Sequence, residues 1–378
     1  MTFIAPKTMN NSIPIAVFRL LGGVPIEKRC NYKLLFDTGC ARMLNEMFPD
    51  YDYITVNVYN NRKIYYDPRL FLVPFTLRRA INRSGCDMVF FPCDGNRYAL
   101  FKFKIPTVVE INDLKWLKED LKGEGNIANK VLRFFYGKKG YERTIKRASL
   151  ITTISEYTKK DLLKFYPDTN SCKIHVIYLS VPKISETSRP TGVNGNEDYI
   201  LNVNSILAFK NPLTLIKAFS RISGKYRGKL FFVGRETEYW KNELIPYIEK
   251  EGLGDRVVRL QNLKEPELRY LYEHARLFVT PSLHEGFGFT PIEAAIYGCP
   301  VISSKCESLP EVTMGLVNYY EPATDASALA DVMLKVLEAP PAKEELKSLS
   351  ETFSHCYSSQ NHAKELEKLF ELMESEPK

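Results

Sequence analysis

Residues 277–311 read LFVTPSLHEGFGFTPIEAAIYGCPVISSKCESLPE. The apolar run Leu277–Val279 reads as a buried strand, and the chain leaves it at Pro281. A loop with Gly286 and Gly288 follows. Thr290 suits an N-cap, Pro291 the first helical position and Gly298 the exit, so a helix is expected from Thr290 to Gly298. Pro300–Ser303 then reads as the next strand. Strand, glycine loop, helix and strand in that order belong to a parallel sheet with helices on its faces. Loop glycines just before a helix N-terminus let an anion approach backbone N–H groups, and the helix dipole favours it there. In doubly wound folds ligands bind beyond the carboxyl ends of the strands, where this loop lies.

The same rhythm extends in both directions. Short apolar runs occur at Ile13–Phe18, Tyr53–Val58, Asp87–Phe91, Thr107–Ile111, Leu150–Ile154 and Lys173–Tyr178. They continue at Tyr199–Val203, Lys229–Val233, Arg256–Leu260 and Val317–Tyr320. Runs of this length alternating with helical patterns predict strands of doubly wound α/β sheets. The polar stretch Lys183–Asp198, KISETSRPTGVNGNED, has neither period and reads as a boundary. Two Rossmann-like domains are therefore expected, at 1–185 and 195–355. Residues 356–378, with Leu366, Leu369, Phe370 and Met373 at helical spacing, form an amphipathic terminal helix.

The chain has 378 residues, more than one core usually holds, and a net charge of +7. The charge is uneven. Residues 1–190 carry 31 Lys and Arg against 18 Asp and Glu, whereas residues 191–378 carry 21 against 27. Basic runs at Leu77–Arg83 and Lys138–Arg147 suit either a solvated surface or an anionic partner, such as a membrane face or a phosphate-bearing acceptor. No nucleic-acid-binding module is legible. Eight Cys without a CxxC pair read as reduced, mostly buried thiols of a cytoplasmic protein. The N-terminal residues lack the pattern of a secretory signal, and no apolar run is long enough to span a bilayer. No His/Cys grouping has zinc spacing, and neither a GxxxxGK[ST] loop nor a GxSxG elbow occurs. Asp50-Tyr-Asp52 is a DxD string, but it precedes a strand, whereas a metal-holding DxD follows one. Gly22-Gly23 read as a turn, or as a point of close backbone approach.

Glu285 and Glu293 bracket the glycine loop. Carboxylates accept charge-assisted hydrogen bonds from hydroxyl pairs, so one acid for each end of a sugar nucleotide, with its diphosphate between them, is a coherent arrangement. Glu293 also fits a capping box with Thr290.

The string HEGFGFTPIEAAIYGCPVI resembles the signature of glycosyltransferase family 4, a group of retaining enzymes with the GT-B fold. The likeness extends over residues 199–320, through YILNVNSILAFKNPLTLIKAF (199–219), KLFFVG (229–234) and ELRYLYEHA (267–275), and it touches RASLITTISEYTKKD (147–161). It implies two doubly wound domains facing a cleft, with the terminal helix crossing back onto the first. It further implies that Glu293 contacts the donor ribose. Glu285, together with Gly286, Phe287, Gly288, Phe289 and Thr290, would hold the transferred sugar and diphosphate. Lys210 matches the family's diphosphate-neutralising lysine. The chain departs from the pattern twice. Ser205 stands where the family usually has an arginine, with Arg235 a candidate substitute, and Asn112 stands where it commonly has a histidine. Asn112-Asp113 also reads as a cap of the following helix.

The expectation is a retaining hexosyltransferase that needs no metal or other cofactor. It would take a GDP- or UDP-linked sugar as co-substrate and a glycan or lipid-linked acceptor, in the cytoplasm, with a peripheral contact to anionic membrane. A sugar-nucleotide epimerase and a non-catalytic sugar-nucleotide-binding relative, the latter motivated by Ser205 and Asn112, are the alternatives.

Overall fold

The computed structural model describes residues 3–4, 12–56, 73–92, 102–118 and 138–375. It divides into unit 1, Met1–Ser180 with Ser359–Lys378, and unit 2, Val181–Ser358.

In unit 1 the described strands are β1 (Phe3–Ile4), β2 (Lys33–Asp37), β3 (Asp52–Val56), β4 (Val89–Phe91), β5 (Thr107–Ile111), β6 (Leu150–Thr153) and β7 (Ile174–Val176). They form two all-parallel sheets, β1-β2-β3 and β4-β5-β6-β7. Alternation along the strands builds two cores. Leu34, Phe36, Phe90, Val108 and Ile177 pack with Val17, Leu20 and Leu21 of helix Ser12–Gly23 and with Ala363, Leu366 and Leu369 of helix Ser359–Ser375. Leu35, Val56, Val89, Phe91, Val109 and Ile151 pack on the other side with Leu77, Tyr141, Ile145 and Leu162.

Two readings change here. Ile13–Phe18 is not a strand but part of helix Ser12–Gly23. The buried residues Val17, Leu20, Leu21 and Val24 fall at i, i+3, i+4 and i+7, one face of a helix. The parallel strand is instead Lys33–Asp37, whose three apolar residues Leu34–Phe36 are all buried. Gly23 ends the helix under the terminal one, where a Cβ would stand 2.0 Å from the Ser359 carbonyl oxygen. Its close approach is to another helix backbone. The DxD string is structural: Asp50 pairs with Arg29 at 2.8 Å, and the buried Tyr51 donates its hydroxyl to Leu21 O at 2.7 Å. The cysteines are also less buried than expected. Cys30, Cys172 and Cys356 are exposed free thiols, and Cys299 is buried.

Unit 2 carries β8 (Tyr199–Val203), β9 (Lys229–Val233), β10 (Val257–Leu260), β11 (Leu277–Thr280), β12 (Val301–Ser304) and β13 (Asn318–Tyr320). They form one parallel sheet in the order β10-β9-β8-β11-β12-β13. One face packs Ile200, Leu230, Phe232, Leu277 and Val279 against Leu215, Ile216 and Phe219 of helix Pro212–Ile222 and against Leu329 and Met333 of helix Ala326–Glu338. Each fully buried side chain of this size stabilises the unit by about 1.5–3 kcal/mol. Helices Glu265–His274, Phe289–Ile296 and Lys343–Cys356 lie together, contributing the buried Leu271, Ile292 and Phe353. The stretch 183–198 packs on this unit. Arg269 donates to Ile184 O at 2.9 Å, and Ile184 N donates to the Tyr297 hydroxyl at 2.9 Å. Among the described residues no helix is long and apolar enough to cross a membrane.

Candidate functional site

The strand order of unit 2 reverses between β8 and β11. From β8 the chain moves to β9 and β10 on one side, and from β11 to β12 and β13 on the other. Loops leaving the carboxyl ends of two such strands diverge and open a crevice. The loops are 204–211 and 281–288, and the structure stitches them together. Asn211, left-handed at φ 56, donates from Nδ2 to Pro281 O (3.1 Å) and Ala323 O (2.8 Å), while Thr214 donates to its Oδ1 (2.7 Å). Leu283 N donates to Phe209 O at 2.9 Å.

This stitching brings Lys210 and Glu285, 75 residues apart in sequence, into contact. Lys210 Nζ donates to Glu285 Oε1 at 2.6 Å, with the side chains 15% and 12% exposed. Ser282 Oγ donates to the same oxygen at 2.9 Å. Ser282 is held in turn by Asn204 Nδ2 (3.3 Å), and its carbonyl accepts from Ser304 Oγ (2.6 Å). Sheltered from water, such a pair is stronger than a surface ion pair, and losing either member leaves a poorly solvated charge.

The loop is also held from β12. Glu307 accepts from Glu285 N at 2.7 Å and pairs with His284 Nδ1 at 2.9 Å, and Ser308 Oγ reaches Glu285 O (2.8 Å) and Phe287 O (3.0 Å). Neither residue was singled out from the sequence. They lie more than 20 positions downstream of the groups they hold, and no local pattern announces them. Phe287 is buried against Phe289 and Tyr357, so its backbone is what it can offer a ligand.

Helix Phe289–Ile296 begins one residue earlier than expected, and Gly288 rather than Thr290 is its N-cap. The loop enters through Gly288 at φ 104, a conformation open to glycine, where a Cβ would lie 2.8 Å from Leu309 Cδ2. Thr290 therefore stands in the first turn, partly exposed. The cap has no side-chain hydrogen bond, and Glu293 accepts from the buried Tyr272 hydroxyl at 3.1 Å. Burial, then the neighbouring Glu293 charge, hold the Tyr272 phenol well above its usual pKa, so it stays a donor. Tyr272 stacks on Tyr297 with ring centroids 5.9 Å apart.

Ser205 and Arg235 are exposed on the loops after β8 and β9. Gly286 is partly exposed in loop 281–288. Asn112 belongs to unit 1, where its carbonyl accepts from the Thr158 hydroxyl (3.3 Å), and Asp113 Oδ1 accepts from Lys115 N (3.3 Å) ahead of the turn Lys115–Leu117, whose N-cap is Leu114. No group of three or more His, Cys, Asp or Glu that could hold a metal occurs among the described residues.

Comparison with known proteins coincides with this geometry. Residues 183–352, nearly all of unit 2, match the family model described as glycosyl transferases group 1. The matched segment contains Lys210, Glu285, Glu293 and Glu307. The chain is 33% identical over 184 residues to O-antigen chain mannosyltransferase RfbU of Salmonella typhimurium, covering 49% of this chain and 50% of that one. It is 25% identical over 214 residues to O-antigen chain mannosyltransferase B of Escherichia coli, covering 54% and 56%. The chain thus spans about half the length of the curated relatives it matches. Among solved structures, HepE of Anabaena in complex with UDP superposes with a TM-score of 0.72 at 16% identity, over 98% of this chain and 99% of that one. WaaG, described as a glycosyltransferase involved in lipopolysaccharide biosynthesis, gives 0.66 at 16% identity, over 99% of each. These likenesses establish the GT-B fold, with its two Rossmann-like domains.

Proposed function

We propose that the protein is a retaining glycosyltransferase that moves a hexose from a GDP- or UDP-linked sugar to a glycan or lipid-linked acceptor. The observation that carries this reading is the Lys210–Glu285 pair on two loops at the reversal point of the unit 2 sheet. Among the described residues Glu285 Oε1 accepts from Lys210 and Ser282, and Oε2 is the oxygen that would accept from a sugar hydroxyl. The donor diphosphate would lie against the Lys210 ammonium and the amino end of helix Phe289–Ile296, with Glu293 toward the ribose. Mannosyltransferase relatives and a neighbour solved with UDP support a nucleotide-sugar donor.

In the reaction the bond from the anomeric carbon to the diphosphate oxygen breaks, and a bond to the acceptor oxygen forms on the same face. The acceptor proton passes to the departing phosphate oxygen, and nucleoside diphosphate leaves. Lys210 offsets charge that develops on that oxygen, the kind of preorganised electrostatic help that dominates many enzymes. With this charge met by the protein, no metal or other cofactor is required. Unit 1 would supply the acceptor site. Its basic helix Lys139–Arg147 suits an anionic, lipid-linked acceptor at a cytoplasmic membrane face.

The test is a panel of UDP- and GDP-sugars in thermal unfolding. A specific donor at a hundred times its Kd adds about 2.7 kcal/mol, or about 5 °C and more for a domain of this size. Release of nucleoside diphosphate only with acceptor present, undiminished by EDTA, is expected. A panel without any shift would refute the reading.

A further inference from the structure

Glu307 follows β12 with its backbone left-handed at φ 51. Side chains other than glycine seldom adopt that conformation, and where they do the cost is met by the surroundings. Glycine would occupy the position without strain, yet the sequence places a long charged residue there. What offsets the cost is what the carboxylate does. Only 12% exposed, it accepts from the Glu285 backbone N–H at 2.7 Å and pairs with His284 Nδ1 at 2.9 Å. Both are hydrogen bonds to an ionised acceptor, the stronger kind. The next residue, Ser308, reaches the Glu285 carbonyl. The two peptide planes flanking Glu285 are thus fixed, on the N–H side by Glu307 and on the C=O side by Ser308, before Lys210 and Ser282 engage its side chain.

We propose that Glu307 is a positioning residue for the transferred sugar: by holding the Glu285 amide and the His284 ring it sets where the Glu285 carboxylate meets the donor. This rests on the function proposed above. Groups that act on a reacting sugar must be held within about 0.5 Å, and a displacement near 1 Å costs on the order of a hundredfold in rate. The Lys210 backbone, on another loop, is anchored separately through its neighbour Asn211.

The test pairs Glu307→Gly, which relieves the backbone, with Glu307→Gln, which keeps a neutral acceptor. Three quantities are measured in each: melting temperature, affinity for free UDP and GDP, and kcat with the donor sugar that the wild type uses. Glu307→Gly is expected to melt within about 3 °C of wild type and to bind the nucleotide within about twofold. Its kcat should fall on the order of a hundredfold, and that of Glu307→Gln about tenfold, since an uncharged acceptor bonds more weakly. Glu307 merely holding the fold would instead lower melting temperature, nucleotide affinity and kcat together. That outcome, or a Glu307→Gly enzyme with wild-type kcat, overturns the proposal while leaving the transferase reading intact. A wild-type protein that neither binds nor uses any nucleotide sugar overturns both.

Discussion

Acidification should weaken unit 1, chiefly through one imidazole. His362 lies on the terminal helix, 4% exposed, with Nδ1 3.3 Å from Ser180 Oγ and no hydrogen-bond partner for Nε2 among the described residues. Burial pushes its pKa from 6.5 down to about 4. In the folded protein the ring stays neutral, whereas the unfolded chain takes up a proton below pH 6.5. Stability is therefore full above pH 6.5, falls as the pH drops toward 4, and levels off below. At about 1.4 kcal/mol per pH unit, the drop to about 4 is worth about 3 kcal/mol. His175, lowered chiefly by burial, acts in the same direction. His362→Gln keeps a polar group for Ser180 and removes the titration. Unit 1 is read by hydrogen-exchange protection of helix Ser12–Gly23, which packs directly on the terminal helix. Between pH 7 and pH 4 wild type should lose about 3 kcal/mol more than His362→Gln. Parallel curves across that range would show that the ring is protonated without cost, and the argument from burial would be wrong.

Lys210→Met and Glu285→Gln should each lower transfer on the order of a hundredfold, the scale seen when one preorganised charge or donor is removed. Steady-state assays check this, and retention of wild-type rates by either variant would contradict the roles given to the pair. Tyr272→Phe removes the hydrogen to Glu293 and keeps the stack on Tyr297, so donor KM should rise about tenfold with kcat nearly unchanged, as for the loss of one hydrogen bond to a charged acceptor. Gly23→Ala places a methyl group 2.0 Å from the Ser359 carbonyl, which cannot yield without moving the terminal helix. Limited proteolysis should then release C-terminal fragments faster than from wild type.

Unit 2 was legible because its strands are buried on both faces. Tyr199–Leu201 and Leu230–Val233 are apolar without a break, and such short runs between turn signals suit an inner parallel strand. The same logic misread Ile13–Phe18. A run that short does not separate the two periods, and the helical one appears only when the window reaches Leu20, Leu21 and Val24. Within the site, Glu285 was visible because it borders the glycine loop, and Lys210 only through the resemblance to family 4, since a lone lysine in a loop otherwise reads as surface. The cap was misjudged for a tertiary reason. Phe287 is packed against Phe289 and Tyr357, so the chain must turn at Gly288 with φ 104 to start the helix, and no role is left for Thr290 as its cap. Glu293, released from a capping box, is taken by Tyr272 from 21 residues upstream. Glu307 is the extreme case. Judged locally, a glutamate at φ 51 is a misfit, and the contacts that justify it come from residues 22 and 23 positions earlier. Local rules fail at Gly288, Glu293 and Glu307 together, and all three border loop 281–288, one of the two that the proposed donor would touch. Conflict between local preference and tertiary demand is where function is expected to sit.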